Sequence, residues 1–187
     1  MLYLHPSTEI IIKQKQLEST LENPTLIPLI ENWFQVRNAR LMPKRGDMDP
    51  VIFFPLLKQV WIMEFMADAN TYKYCLTGED INLSHKTTIK GMTIEESHPT
   101  SQIEEVKGYL DQMRREKSIM IMRGQTLHIN NLYSLHERII LPLSSDGINV
   151  TEVIGATVYH RPSGRASEAT GQIISKVETY PVSNFID

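Results

Sequence analysis

The chain has 187 residues, 41% of them hydrophobic, and a formal net charge of -3 at pH 7. That length suits one domain with an ordinary core, and the acidic balance argues against nucleic-acid binding, which draws on a surplus of Lys and Arg. The single cysteine, Cys75, excludes an internal disulfide and points to a reducing compartment, the cytoplasm by default. The N-terminus lacks the apolar core of a signal peptide, and no window approaches the ~20 apolar residues of a membrane span.

Residues 1–23 show no clear period and hold one short apolar run, Ile10 to Ile12, that either adds a strand or lies against the body. Pro24 and Thr25 suit the first turn of a helix in which Leu26, Leu29, Ile30, Trp33 and Phe34 recur at helical spacing. The helix is expected to end near Arg40, ahead of Pro43 and Gly46. Residues 41–50 form a loop dense in Pro, Gly and Asp. Asp49-Pro50 is a natural helix start, so residues 51–57 are expected to form a short helix on the sheet. Residues 59–66 read as a buried strand, 67–71 as a turn, and 72–76 as a second strand with Tyr72, Tyr74 and Leu76 on one face.

From 77 to 100 the pattern breaks into short helices and loops. Then Ile103, Val106, Leu110 and Met113 mark the stripe of a helix over about 102–117, with Ser101 and Glu104 as its expected capping box. Residues 119–129 read as a third strand interrupted by Gly124, with Asn130-Asn131 as a turn. Two β-rich runs, 135–143 and 150–159, flank Asp146-Gly147, whose glycine supplies the positive φ of a reversing loop. Residues 161–187 are looser, with Ile173, Ile174 and Val177 as a final helical turn or strand.

The order predicts an α+β fold: a five-stranded antiparallel sheet with helices inserted between strands two and three on one face. Both parities of the first strand are largely apolar, so the Trp33 helix is expected to cover the other face. The expected division is an N-terminal extension over 1–23, one domain over 24–160 and a C-terminal extension over 161–187.

Trp33, Arg37, Arg40, Met42-Pro43, Arg45, Asp47 and Asp49-Pro50 resemble the W…R…R-x-MP-x-R-x-D-x-DP opening of short, stand-alone PAS-like proteins of alphaproteobacteria. Residues 72–78, YKYCLTG, are similar to that family's xYRLxG-type strand, and Glu137-Arg138, Pro142-Leu143 and Asp146-Gly147 to its ERxLLPL…DG hairpin. The likeness covers roughly residues 26–159. Cys75 stands where the family more often has Arg, so any role of that Arg is absent here. The resemblance implies the PAS fold and a sensory or interaction module; the lack of local catalytic motifs, taken up below, makes a protein without catalysis the expectation.

The six histidines are scattered, and no pair has the i, i+4 spacing of two metal ligands on one helix. His128 and His136 remain able to meet across a hairpin, and His85 or His98 lies where a haem-binding PAS presents its axial ligand. Surface or hydrogen-bonded histidines are the stronger reading, and no cofactor is expected. Cys75 sits within a strand, unlike the helical cysteine of a photoreactive flavin site, and reads as a small buried residue. Nucleotide cradles and nucleophile elbows have no local motif here.

A PAS-like sheet roofed by short helices leaves a concavity, and Tyr74, His85, Arg123, Tyr133 and His136 are the candidate polar groups for a small ligand. Trp33, Arg37, Arg40 and Arg45 are the candidates for a partner surface. The competing reading of that loop is structural: its Arg and Asp side chains pair with one another and with backbone carbonyls. The expected function is a cytoplasmic sensory module that binds a small molecule or a signalling protein and forms a homodimer, without nucleic acid or membrane. The rival is a small enzyme in which His85 or His136 meets Asp80 or Glu137 in the concavity. A third reading is a dimeric adaptor whose interior is filled by its own side chains.

Overall fold

The structure is a computed structural model that describes residues 7–127, 132–160, 164–165 and 172–186. Its N-terminal segment is a helix, α1 (Thr8–Ser19), begun by Ser7, whose Oγ accepts the Ile10 N–H at 3.3 Å. Ile10 and Leu17 are buried while Ile11 and Ile12 face out, so the apolar run never forms a stripe. A 3-10 turn (Pro24–Leu26) leads into α2 (Ile27–Arg37). This helix stops at Arg37, short of Arg40, because Asn38 takes a φ of 53° that no α-helix continues. Leu29, Ile30 and Trp33 are buried, and the Trp33 indole N–H donates to the Pro142 carbonyl at 2.8 Å.

The short helix expected over 51–57 is absent; turns and a 3-10 piece (Phe54–Leu56) take its place. Asp49 closes a side-chain turn on the Val51 N–H at 3.0 Å, and its own N–H is held by the buried Asn32 carbonyl oxygen at 3.1 Å. The aspartate therefore ends a loop and starts no helix.

Strands β1 (Val60–Met66) and β2 (Thr71–Thr77) pair antiparallel. An irregularity between Ile62 and Met63 sets Tyr74 opposite Met63 and Leu76 opposite Ile62. Tyr72 and Tyr74 thus share a face, while Leu76, expected beside them, is turned to the other. After β2 come α3 (Glu79–His85), α4 (Ile94–Ser97) and α5 (Thr100–Glu116). The capping box belongs to α4, as Thr93 with Glu96; α5 starts after Pro99 without a side-chain cap, so the Ser101 and Glu104 pairing does not form. The helices are tied to the sheet edge: the Tyr72 hydroxyl donates to Asp111 at 2.7 Å, the Thr71 hydroxyl to Glu95 at 2.5 Å, and the Arg114 guanidinium lies 3.8 Å from the Phe65 ring centre.

The rest of the chain is β3 (Ser118–Leu127), β4 (Leu132–Leu143), β5 (Glu152–Tyr159), the two-residue β6 (Gly164–Arg165) and β7 (Gln172–Pro181). Six strands run in the order β2-β1-β5-β4-β3-β7, all neighbours antiparallel, with β6 paired to β4 off that path. The expected count of five is corrected to six, because the loosely patterned C-terminal stretch adds β7 alongside β3. Its register shifts between Arg123 and Gly124, where the glycine was read as an interruption. In the β4–β5 connection Gly147 has a φ of 80°, and Asp146 accepts the Ile148 and Asn149 N–H groups at 2.8 and 2.7 Å.

Side chains alternate across β4, which divides the molecule in two. Arg138 and Ile140 face α3 to α5. Glu137 faces the N-terminal layer, where its carboxylate accepts the Glu22 and Asn23 N–H groups at 3.0 and 2.7 Å. The C-terminus closes the same layer: Phe185 packs edge-on against Phe34 at 5.1 Å, and its carbonyl accepts a hydrogen bond from Arg37.

Candidate functional site

Between the sheet and α3 to α5 lies a cavity of about 430 Å³. The strands supply most of its apolar wall, with Met63, Met122 and Ile140; α3 and α5 add Ile81 and Leu110. That volume suits a small molecule. An interior filled entirely by the chain's own side chains is therefore not what the structure has.

The polar groups converge from four strands and two helices. Thr157 on β5 is a hub: its Oγ1 accepts the Trp61 indole N–H at 3.1 Å and the Arg138 Nε–H at 2.9 Å. The Arg138 guanidinium lies 5.9 Å from the Trp61 ring centre, and the Tyr74 ring stands edge-on to Trp61 at 6.3 Å. Tyr159 donates to the Ser84 hydroxyl at 3.0 Å, tying β5 to α3.

Two histidines form the helical side. His85 Nδ1 is 3.1 Å from the Ser97 carbonyl, which only accepts, so that nitrogen carries the proton. The His98 ring lies 5.1 Å from His85 and stacks on Tyr74 at 6.2 Å, only 10° from parallel. Burial disfavours the charged form of both, and the nearby Arg138 acts the same way. His98 is pushed down to about 4, so at neutral pH it is an uncharged donor and acceptor. Burial likewise raises the Tyr74 hydroxyl and keeps it protonated.

Of the candidate ligand residues, the structure brings Tyr74 and His85 together in the cavity. His136 is buried two residues before Arg138 on β4, its ring 6.2 Å from that of Tyr159, and burial lowers it to about 3. The Tyr133 backbone is in β4; its side chain is outside the described residues. Arg123 is on the opposite face. It pairs with Glu137 at 2.8 Å, Glu178 at 2.5 Å and Glu22 at 3.1 Å, and it donates to the Thr20 carbonyl. Arg138, Thr157 and Trp61 join the cavity without a local sequence signal, and His98, named above only as a possible haem ligand, lies there with them. Arg138 turns to the cavity because its neighbour Glu137 pairs across strands with Arg123, and alternation sends Arg138 the other way.

The candidate partner residues divide between core and surface. Trp33 and Arg37 are buried. Arg40 pairs with Asp47 at 2.8 Å and donates to the Val36 and Arg37 carbonyls, while Arg45 reaches Glu152 at 3.3 Å. These bonds fix the loop against α2. For the enzyme reading, Asp80 takes a hydrogen bond from Gln59, Glu137 faces away from the cavity, and His85 is engaged by Ser97. Cys75 is half-buried 3.6 Å from the Glu64 carboxylate, and burial raises its thiol pKa. Among the described residues no group of three His, Cys, Asp or Glu side chains is placed to hold a metal, and His128 lies outside them. No helix of the described residues is long and apolar enough to cross a membrane.

No curated protein matches the chain. Residues 21–158, from just after α1 to the penultimate residue of β5, match the PAS domain family. With its antiparallel sheet and the helical roof between β2 and β3, the chain belongs to the PAS domain family.

Proposed function

We propose that this PAS domain protein is a non-catalytic sensory module that binds a small molecule beneath α3 to α5 and passes its occupancy to another protein. The observation that carries this reading is the cavity of about 430 Å³, apolar on most of its wall and furnished with Tyr74, Arg138 and Thr157 from the sheet and His98 from the helical side. PAS domains are in general sensory or regulatory and not catalytic, and here the candidate acid–base residues Asp80 and Glu137 are already engaged away from the histidines. The output is a protein contact in the cytoplasm, with a second copy of the chain as the first partner to test.

Protein purified from its own host, analysed by native mass spectrometry and by thermal shift against a metabolite library, tests the ligand. A ligand at a hundredfold excess over Kd adds about 2.7 kcal/mol, enough to raise Tm by about 5 °C or more for a chain of this size. The expected result is a retained mass or such a shift, lost when Ile140→Trp fills the cavity. No retained mass and no shift across the library removes the small-molecule reading. Sedimentation analysis reports the dimer, and a monomer at tens of micromolar overturns that part.

A further inference from the structure

The sheet side of the cavity holds one cation, Arg138, and one hydroxyl, that of Tyr74, whose hydrogen-bonding capacity the protein itself does not use up. Arg138 spends its Nε–H on Thr157; among the described residues no carboxylate or carbonyl pairs with its two terminal amino groups. Tyr74 is 7% exposed, and its hydroxyl makes no hydrogen bond among the described residues. Both side chains pack against Trp61, at 5.9 and 6.3 Å, so one rigid indole holds the guanidinium and the phenol on the same wall. Neither group is sealed off, since Arg138 is half-buried and both line the cavity, so both are open to an acceptor that enters it.

Three further charged groups line the cavity and none cancels this cation: Lys86, exposed at the end of α3, is itself positive, and the two carboxylates are engaged elsewhere. Glu96 is tied to the Thr93 N–H at 2.8 Å in the capping box of α4, and Glu105 takes the Tyr109 hydroxyl at 3.2 Å, both on exposed helix surface. His85 and His98 are held neutral by burial, so neither competes as a cation nor demands a second negative charge. One guanidinium with an apolar wall matches a single anionic charge on an apolar body; a phosphate dianion would call for more donors.

We propose that the cavity takes an organic carboxylic acid as its anion, the carboxylate lying between Arg138 and the Tyr74 hydroxyl and the hydrocarbon body against Met63, Met122 and Ile140. This rests on the small-molecule reading above and names its ligand class. Thr157 orients the guanidinium through Nε and leaves the two terminal amino groups, the fork that meets a carboxylate with two hydrogen bonds, directed at the ligand.

The test uses matched acids and their neutral amides, octanoate with octanamide and 2-naphthylacetate with 2-naphthylacetamide, titrated calorimetrically into the full chain at pH 7.5. At least one acid is expected to bind about tenfold or more tighter than its amide. Arg138→Gln erases that preference, and Tyr74→Phe, which keeps the ring packing, weakens the acid several-fold while sparing the amide. Amides that bind as tightly as acids, or a preference that survives R138Q, overturn the anion site and leave the cavity reading standing. No binding by any acid or amide overturns both. Should R138Q fail to fold, the wild-type ratio together with Y74F decides the question.

Discussion

Gly155 and Gly108 offer the same substitution with opposite outcomes. Gly155 lies mid-sheet on β5, paired with Trp61 on one side and Ile140 on the other. A Cβ there would stand 2.3 Å from the Trp61 Cζ2 and 2.5 Å from its Cε2, where ordinary contact begins at 3.4 Å. The indole must therefore retreat by about 1 Å, but it is buried and pinned by its bond to Thr157. Overpacking of this kind costs ~1–3 kcal/mol, and loss of the buried indole hydrogen bond adds about 1 kcal/mol. Gly155→Ala should thus destabilise by about 2–4 kcal/mol and lower Tm by about 5–10 °C. At Gly108, within α5, an added Cβ meets nothing within 4 Å. Gly108→Ala should stabilise by about 0.5–1 kcal/mol, the helix-propensity gain. Urea unfolding followed by Trp fluorescence and circular dichroism measures both. A Gly155→Ala stability within about 0.5 kcal/mol of wild type would show that Trp61 is not wedged against β5, and the rigid-wall argument would fall with it.

Removing Arg123 leaves Glu137, only 1% exposed, with its two backbone donors and no cation; Arg123→Met should cost about 3 kcal/mol in urea titration, and adding Glu137→Gln should recover part of it. Equal stability of R123M and wild type would refute the cluster's role. Acid should weaken the fold well before the carboxylates titrate. His98 and His136 have native values near 4 and 3 against 6.5 for an unhindered histidine, so below 6.5 the unfolded chain takes up protons first. Stability is complete above about pH 6.5 and falls toward pH 4 by up to ~1.4 kcal/mol per pH unit for each histidine; His136→Gln should flatten the slope, and a urea midpoint constant from pH 7 to 5 contradicts it. Burial, with Glu64 close by, raises the Cys75 thiol, so iodoacetamide should label it more slowly at pH 8 than an unhindered cysteine. Glu64→Gln should speed that reaction, and an unchanged rate would count against the contact.

The parts of this fold visible in the chain were those with a strong local signal. Trp33, Leu29 and Ile30 keep helical spacing because they pack into one core, and Asp146-Gly147 marks its turn because only a residue at ease with positive φ fits there. The elements that went unread draw their stability from elsewhere. β7 is held by its ladder to β3, a partner nearly fifty residues upstream, and its half-buried face shows little alternation. α1 buries Ile10 and Leu17 two turns apart and exposes the apolar residues between them. In the site, the paired motif Glu137-Arg138 was legible as chemistry but not as geometry. Which of the two enters the cavity depends on Arg123 across the ladder and on the Glu22 and Asn23 amides, none of them near in sequence. Arg123 misled for the same reason, since a lone arginine on a strand has no face until its register is known.

Glu137 and Arg138 are consecutive on β4, so one peptide unit joins the two halves of the molecule. Arg138 faces the cavity; Glu137 accepts the Glu22 and Asn23 amides between α1 and α2, and through Arg123 it reaches β7. A guest held by the guanidinium, as proposed above, would therefore bear on the Glu22–Asn23 segment through one peptide unit, with the sheet as a thin diaphragm between them.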